Sequence, residues 1–484
     1  MKRITLLFVL LPFLGLSQVQ VGQDINGSAA GVISGYDVEL SQNGNFLVVS
    51  EPLASDNGTE SGKVKVYENQ SGIWTQIGSD ITGDSQFNYF GWNVEIANNG
   101  NIIAISTPYN SNAGASAGHA KVYENQSGVW TQIGSDIEGL NNDQLGWGLS
   151  LSSDGSILAI GAPSNDANGS NSGHVKVYEN QSGTWVQLGN EISGDLMSDQ
   201  FGFSVDLSSD GSVVAIGTPF GLNSQSIASG YVKVYENQSG TWTQIGSKIS
   251  GTAEFDQFGR DIELSNNGNR IIIGAPSNDP NNRAGFCQVY VIQSGVWVQL
   301  GSTLTKNINN DYFGNGVSIS NTDDSVIAIG SRLENNNSGS TSVYKFIFGD
   351  WQQIGNTISG TNSGDQLGSC INLRSNNLAI GIPNSGVNGN NSGQTKVFNI
   401  SNLLSIEENE LSNFKLYPNP SKTQFTIQLD PSVQLEKVFI YNTLGQVVAA
   451  SEETVVSTSK LASGSYIVEI ITNQGKSSKK LIIE

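Results

Sequence analysis

One stretch, VKVYENQSGTWVQLG (Val175 to Gly189), returns scarcely altered along most of this 484-residue chain and constrains its fold more than anything else in it. An alternating run, a four-residue polar turn and a Trp-x-Gln-(Ile/Leu)-Gly run together describe two antiparallel strands joined by a tight hairpin. The tryptophan recurs at Trp74, Trp130, Trp185, Trp242, Trp297 and Trp351, at intervals of 56, 55, 57, 55 and 54 residues. A further 56 residues back from Trp74 stands Gln18 of QVQVG, the same motif without its aromatic. A period of this length marks a repeat architecture, in which each unit buries its apolar face against its neighbours.

Seven units run from Gln18 to about Ser401. Each holds a Trp-x-Gln-Ile-Gly run, a variable loop, an apolar alternating strand, an Asp-Gly or Asn-Gly turn, a second strand, another variable loop and a third strand. The third unit shows the order: Trp130 to Gly134, Gly146 to Leu151, Ile157 to Ala162 and Val175 to Glu179. Turn tips such as Asn99-Gly100 and Asp154-Gly155 suit the positive φ that tight hairpins require. No long segment repeats apolar residues at helical spacing, so the chain is all-β. Four strands per period, seven times over, predict a seven-bladed β-propeller over 18–401. If each unit begins at its Phe-Gly strand, the last one ends at Thr395–Phe398 with three strands. The orphan run Val19–Gly22 is then expected to supply the fourth and close the ring.

The units resemble FG-GAP repeats, the propeller type of integrin α chains. The resemblance is carried by the Phe-Gly opening and Gly-Ala-Pro-like close of DQFGFSVDLSSDGSVVAIGTP (Asp199 to Pro219) and DQFGRDIELSNNGNRIIIGAP (Asp256 to Pro276). The first unit departs, with Ile33-Ser34-Gly35 in place of Phe-Gly. Calcium-binding members carry an Asp-x-Asp-x-Asp-Gly loop, here shrunk to SSDGS or NNGN, which leaves too few oxygens for the six to eight ligands calcium takes. No metal and no cofactor are expected.

The two ends carry addresses. Lys2 and Arg3, an apolar Ile4 to Leu16 and small residues at Gly15 and Ser17 make residues 1–17 an expected signal peptide cut before Gln18. At the other end NLLSIEENELSN, residues 402–413, is expected to be a linker. Short alternating strands over 414–484 suggest a small β-sandwich. This segment resembles the type A C-terminal sorting domain of type IX secretion cargo, on Tyr417-Pro418-Asn419-Pro420, IYNTLGQVV (Ile440 to Val448), LASGSYIVEI (Leu461 to Ile470) and the terminal KKLIIE. The resemblance implies type IX secretion machinery as a partner of 414–484, and a mature protein that is secreted or attached to the outer-membrane surface. No transmembrane segment is expected.

A net charge of −20 argues against nucleic acid as a partner, since phosphate binding needs clustered Lys and Arg. The two cysteines, Cys287 and Cys370, fall in different units and are expected to stay unbonded. The six repeated tryptophans suit a scaffold role, with sugar stacking as the rival. A recurring Asp (Asp143, Asp199, Asp256, Asp311 and Asp365) is expected to accept backbone N–H bonds. After the Phe-Gly glycine come Tyr36, Trp92, Trp147, Phe203, Arg260, Asn315 and Ser369, which serve either packing between blades or a ligand platform. The opposite parity carries Asp37, Glu39, Glu95, Asp206, Asp261 and Glu263, as solvated channel lining, a cation site or a glycosidase acid and base. His119 and His174 are expected in loops.

No nucleophile elbow, phosphate loop or zinc spacing appears, and no catalytic residue is assigned. The expectation is a binding or adhesion module for an extracellular protein or glycan, and not an enzyme. A polysaccharide-active enzyme using the inner carboxylates and a structural surface-layer protein are the alternatives. Recognition concentrates on variable loops, where Tyr109, Phe220, Leu222 and Arg283 are the candidate contacts.

Overall fold

The computed structural model describes residues 18–484 except 278, 281–282, 348, 405–413, 431–432, 443–446 and 473–474. The expected signal peptide and most of the expected linker therefore lie outside the described residues. Residues 402–404 belong to a helical turn, Ser401–Leu404, whose Leu403 is buried. The chain divides into two compact units, with the main boundary between Ser401 and Asn402.

The described residues of the first unit form seven antiparallel sheets, each built on a four-strand path. In the second sheet the path is Val94–Ile96, Ile102–Thr107, His119–Gln126 and Val129–Gln132. Its first turn needs Gly100, at φ 73°, because a Cβ there would enter the Phe46 ring of the preceding sheet. The Trp-x-Gln-Ile-Gly run is the outermost strand of this sheet, as its pattern suggests. What the pattern does not show is that, after Gly134 at φ 73°, the expected loop returns as Ile137–Glu138, which pairs onto His119 and Ala120. The histidines also differ from expectation: His119 and His174 are not in loops but open the third strands of their sheets and are buried.

Apolar residues alternate along these strands, and the core lies as slabs between consecutive sheets. Ile157, Val175 and Phe201 of the third sheet's side meet Val205, Val214 and Trp242 of the fourth. Another slab joins Val38, Leu47 and Trp74 of the first sheet to Ala379 and Val397 of the seventh. Fully burying one such aliphatic side chain stabilises by about 1.5–3 kcal/mol.

The first strands are Val38–Leu40, Val94–Ile96, Leu149–Leu151, Ser204–Leu207, Ile262–Leu264, Phe313–Ile319 and Ile371–Arg374. Each neighbours the next in this order, and the last neighbours the first. The seventh sheet takes its fourth strand from the other end of the unit: Val19 pairs with Asn399 and Gln20 with Phe398, antiparallel.

The repeated tryptophans tie the sheets together away from the first strands. Each indole N–H donates to a carbonyl of the preceding sheet: Trp74 to Val21, Trp130 to Ile77, Trp185 to Ile133, Trp242 to Leu188, Trp297 to Ile245 and Trp351 to Leu300, at 2.8–3.2 Å. Gln18, in the tryptophan's place for the seventh sheet, donates its side-chain amide to the Asn356 carbonyl of the sixth.

The second unit holds a three-stranded sheet, Lys415–Tyr417, Gln424–Gln428 and Val455–Ser457, and a four-stranded one whose central strands are Leu435–Tyr441 and Gly464–Thr472. Phe414, Phe425, Val438, Ile440, Val468 and Leu481 share one core. Two of its strands, Lys415–Tyr417 and Val455–Ser457, are too short to show in the pattern.

Candidate functional site

Residues from all seven first-strand regions line one cavity of about 590 Å³. Tyr36, Trp92, Trp147 and Phe203 form an arc on its wall, with ring centroids 4.9, 5.2 and 5.4 Å apart in succession. Arg260 extends the arc, its guanidinium carbon 5.1 Å from the Phe203 ring centre. The two sequence readings of these positions thus meet in one structure, since the rings touch across sheets and also face the cavity. Pleat parity does not carry them into the slabs, because they precede the strands. Trp92, for example, follows Gly91 at φ 92° and stands two residues before Val94.

The sequence-predicted contacts divide here. Tyr109 lies 5.4 Å from Trp92 and 6.0 Å from Trp147 between ring centres, and Phe220 lies 6.0 Å from Phe203, so both adjoin the arc. Leu222 is half-buried, its carbonyl accepting from Lys248 at 2.9 Å. Arg283 is engaged in ion pairs with Asp256, at 2.8 Å, and Asp279. Neither Leu222 nor Arg283 lines the cavity.

The six inner carboxylates all line it, and most have a use that sequence reasoning missed. A first strand is the edge of its sheet, so some of its N–H groups have no strand to pair with. Carboxylates of the preceding sheet accept them. Asp37 takes Val94 N–H at 2.7 Å, Asp206 takes Leu264 at 2.6 Å, Asp261 takes Val317 at 2.8 Å and Glu263 takes Ile319 at 3.1 Å. Where a unit carries Ser or Asn instead, the pattern holds: Ser150 takes Leu207, Ser318 takes Leu373 and Asn372 takes Leu40. The repeated Asp at the loop entries also accepts backbone N–H bonds, for example Asp199 from Leu196 and Asp256 from Ala253.

Arg374 supplies the charge that this floor needs. It is the one basic residue on the seven first strands, and it pairs with Glu39 at 3.2 Å and with Glu263. Burial works against its charge, but Glu263 and Glu39 outweigh that and raise its pKa. A smaller cavity of about 40 Å³ also touches Arg374, Glu39, Asp206 and Glu263. Burial, then the nearby Glu263, pushes Asp206 up to about 7, and burial pushes Asp261 up to about 7. Glu95 differs from the other five, having no hydrogen-bond partner among the described residues. Burial first, and then Glu39, Asp206 and Asp37, raise it well above the usual carboxylate range.

Among the described residues no group of three or more His, Cys, Asp or Glu is placed to hold a metal ion. Cys287 and Cys370 are free thiols. No helix among the described residues is long and apolar enough to cross a membrane.

Comparison with known proteins now adds class and destination. Residues 415–484 match the family model described as "Secretion system C-terminal sorting domain". The chain is therefore one exported to the cell surface or beyond it, and the sorting domain is its contact with the secretion machinery. Among solved structures, hydrazine synthase of Kuenenia stuttgartiensis is similar to this chain: TM-score 0.50, 13% identity, 74% of this chain and 94% of that one covered. This concerns the fold alone.

An 81-residue stretch is 33% identical to an ulvan lyase of Nonlabens ulvanivorans. It makes up 16% of this chain and spans 15% of that protein's length. A polysaccharide lyase among its relatives overturns the expectation that the chain is not an enzyme.

Proposed function

We propose that the first unit is a seven-bladed propeller of the FG-GAP kind and that its arc-walled cavity takes a saccharide unit of an extracellular polysaccharide. One observation carries the reading: a curved wall of four aromatic rings stands over a floor rich in hydrogen-bonding groups, inside a cavity of about 590 Å³. Sugar rings offer apolar C–H faces to aromatics and hydroxyls to carboxylates and amides, and this site presents both. Its volume falls in the roughly 300–1,000 Å³ range of small-molecule sites. The seven sheets, the cyclic neighbouring of their first strands and the N-terminal strand of the last sheet support the propeller.

A glycan array probed with the purified full chain tests the reading. Binding to at least one polysaccharide class is expected, weakened at least tenfold by Trp92→Ala or Trp147→Ala. Glycan binding that ignores both changes, or binding of a protein partner alone, would sink it.

Cleavage of the bound polysaccharide is the second reading, favoured by Glu95 and by the lyase relative. Glu95 lines the cavity without a hydrogen-bond partner among the described residues, and burial, then Glu39, Asp206 and Asp37, shift its pKa upward, the direction a general acid needs. Release of new reducing ends from the bound polysaccharide, stopped by Glu95→Gln with binding retained, is the expected result. Release that persists in Glu95→Gln removes Glu95 from the chemistry.

A further inference from the structure

The arginines of the first unit fall into two groups. Arg270, Arg283 and Arg374 each hold a carboxylate. Arg260 and Arg332 do not. Both line the cavity, and neither forms an ion pair or a side-chain hydrogen bond among the described residues. Arg332 even leaves its Nε buried without a partner. Each guanidinium lies against an aromatic face instead, Arg260 at 5.1 Å from Phe203 and Arg332 at 4.9 Å from Tyr312.

The repeat makes these two residues conspicuous. Six units close their second strand with a proline: Pro52, Pro108, Pro163, Pro219, Pro276 and Pro383. The sixth unit puts Arg332 there. At the position after the Phe-Gly glycine the fifth unit puts Arg260, where its neighbours have rings or small polar groups. A position that departs from its own repeat is not required by the scaffold. A desolvated cation without a counter-charge also costs stability, so the scaffold does not gain by keeping two together. Burial, and then Arg332, lower the pKa of Arg260, and burial lowers that of Arg332.

We infer that Arg260 and Arg332 form an anion subsite of the saccharide cavity, and that the natural ligand is an acidic polysaccharide whose carboxylate or sulfate lies between the two guanidiniums. The inference rests on the saccharide reading of the same cavity. Guanidinium forks match the planar oxygens of either anion. The aromatic arc would hold the same sugar's ring, since Phe203 belongs to both features. The acidic floor does not cancel the subsite. All of its carboxylates but Glu95 are spent on backbone N–H bonds or on Arg374, and among the described residues none forms an ion pair with Arg260 or Arg332.

Binding of the full chain to four immobilised polymers tests the inference: polygalacturonate and its carboxyl-reduced form, and carrageenan and its desulfated form. Wild type is expected to prefer one charged polymer over its uncharged counterpart at least tenfold, with affinity falling as salt rises. The preferred pair shows whether the anion is a carboxylate or a sulfate. Arg260→Gln and Arg332→Gln should each abolish that preference, bringing binding of the charged polymer down to that of its uncharged counterpart. Both variants should melt no lower than wild type without ligand, so a folding defect is distinguishable from a lost subsite. Equal affinity for charged and uncharged polymers, or a preference that survives both substitutions, overturns the inference and leaves the saccharide reading standing. If no polymer binds, or if Trp147→Ala changes nothing, the saccharide reading fails and takes the inference with it.

Discussion

Trp242 shows how much one repeated residue does. Its indole is buried in the slab between the third and fourth sheets, and its N–H reaches the Leu188 carbonyl at 2.8 Å. Trp242→Phe keeps most of the burial and loses the bond, which should cost about 1 kcal/mol in urea unfolding. Trp242→Ala also opens a cavity and should cost about 3–5 kcal/mol. Equal losses would mean that the bond, and not the packing, sets the contribution. Asp206 carries a pH dependence of definite sign. Its pKa rises on folding from an ordinary carboxylate value to about 7. Its contribution is therefore fully present at low pH, below the unfolded value, and is lost as pH rises through about 7. The wild type should melt higher at pH 6 than at pH 8, and Asp206→Asn, which keeps an acceptor for Leu264, should reduce that difference. A slope unchanged by the substitution would show that Asp206 does not titrate there.

At the scale of strands and sheets, the repeat was legible because each unit must restate its turn glycines, its strand parity and its tryptophan. The pairing of Val19–Gln20 with the last strand of the first unit followed from counting strands. What stayed hidden depends on geometry between sheets. Parity could sort Trp92 from Glu95, but it could not show that a ring placed before the strand turns into the cavity. Nor could it show that Asp37 caps an N–H of Val94, 57 residues away. Arg374 has a signal in the sequence, as the one cation among seven acidic or neutral first strands. Closure gives the test for this scale. Deleting Gln18–Gly22 exposes the edge of the seventh sheet at Val397, Phe398 and Asn399, removes Val21 from its slab and leaves Trp74 without its acceptor. The truncated chain should melt several degrees lower and self-associate in light scattering. An unchanged melt would mean that the strand adds nothing to the seventh sheet.

For the whole molecule, residues 415–484 set the destination and the seven sheets set the site. A chain lacking 414–484 should still fold its first unit, whose seven sheets pack on core slabs of their own. In its host such a chain should stay in the periplasm, and its appearance on the cell surface would contradict the sorting role. The binding claim can be read from the tryptophans themselves. Of the eight in the chain, six tie sheets together and two, Trp92 and Trp147, face the cavity. Titrating the full chain with the polysaccharide it binds should change its tryptophan fluorescence saturably. The Trp92→Phe/Trp147→Phe double variant should lose that change while its six other tryptophans remain. A saturable signal that survives the double substitution would place the ligand elsewhere and contradict the account.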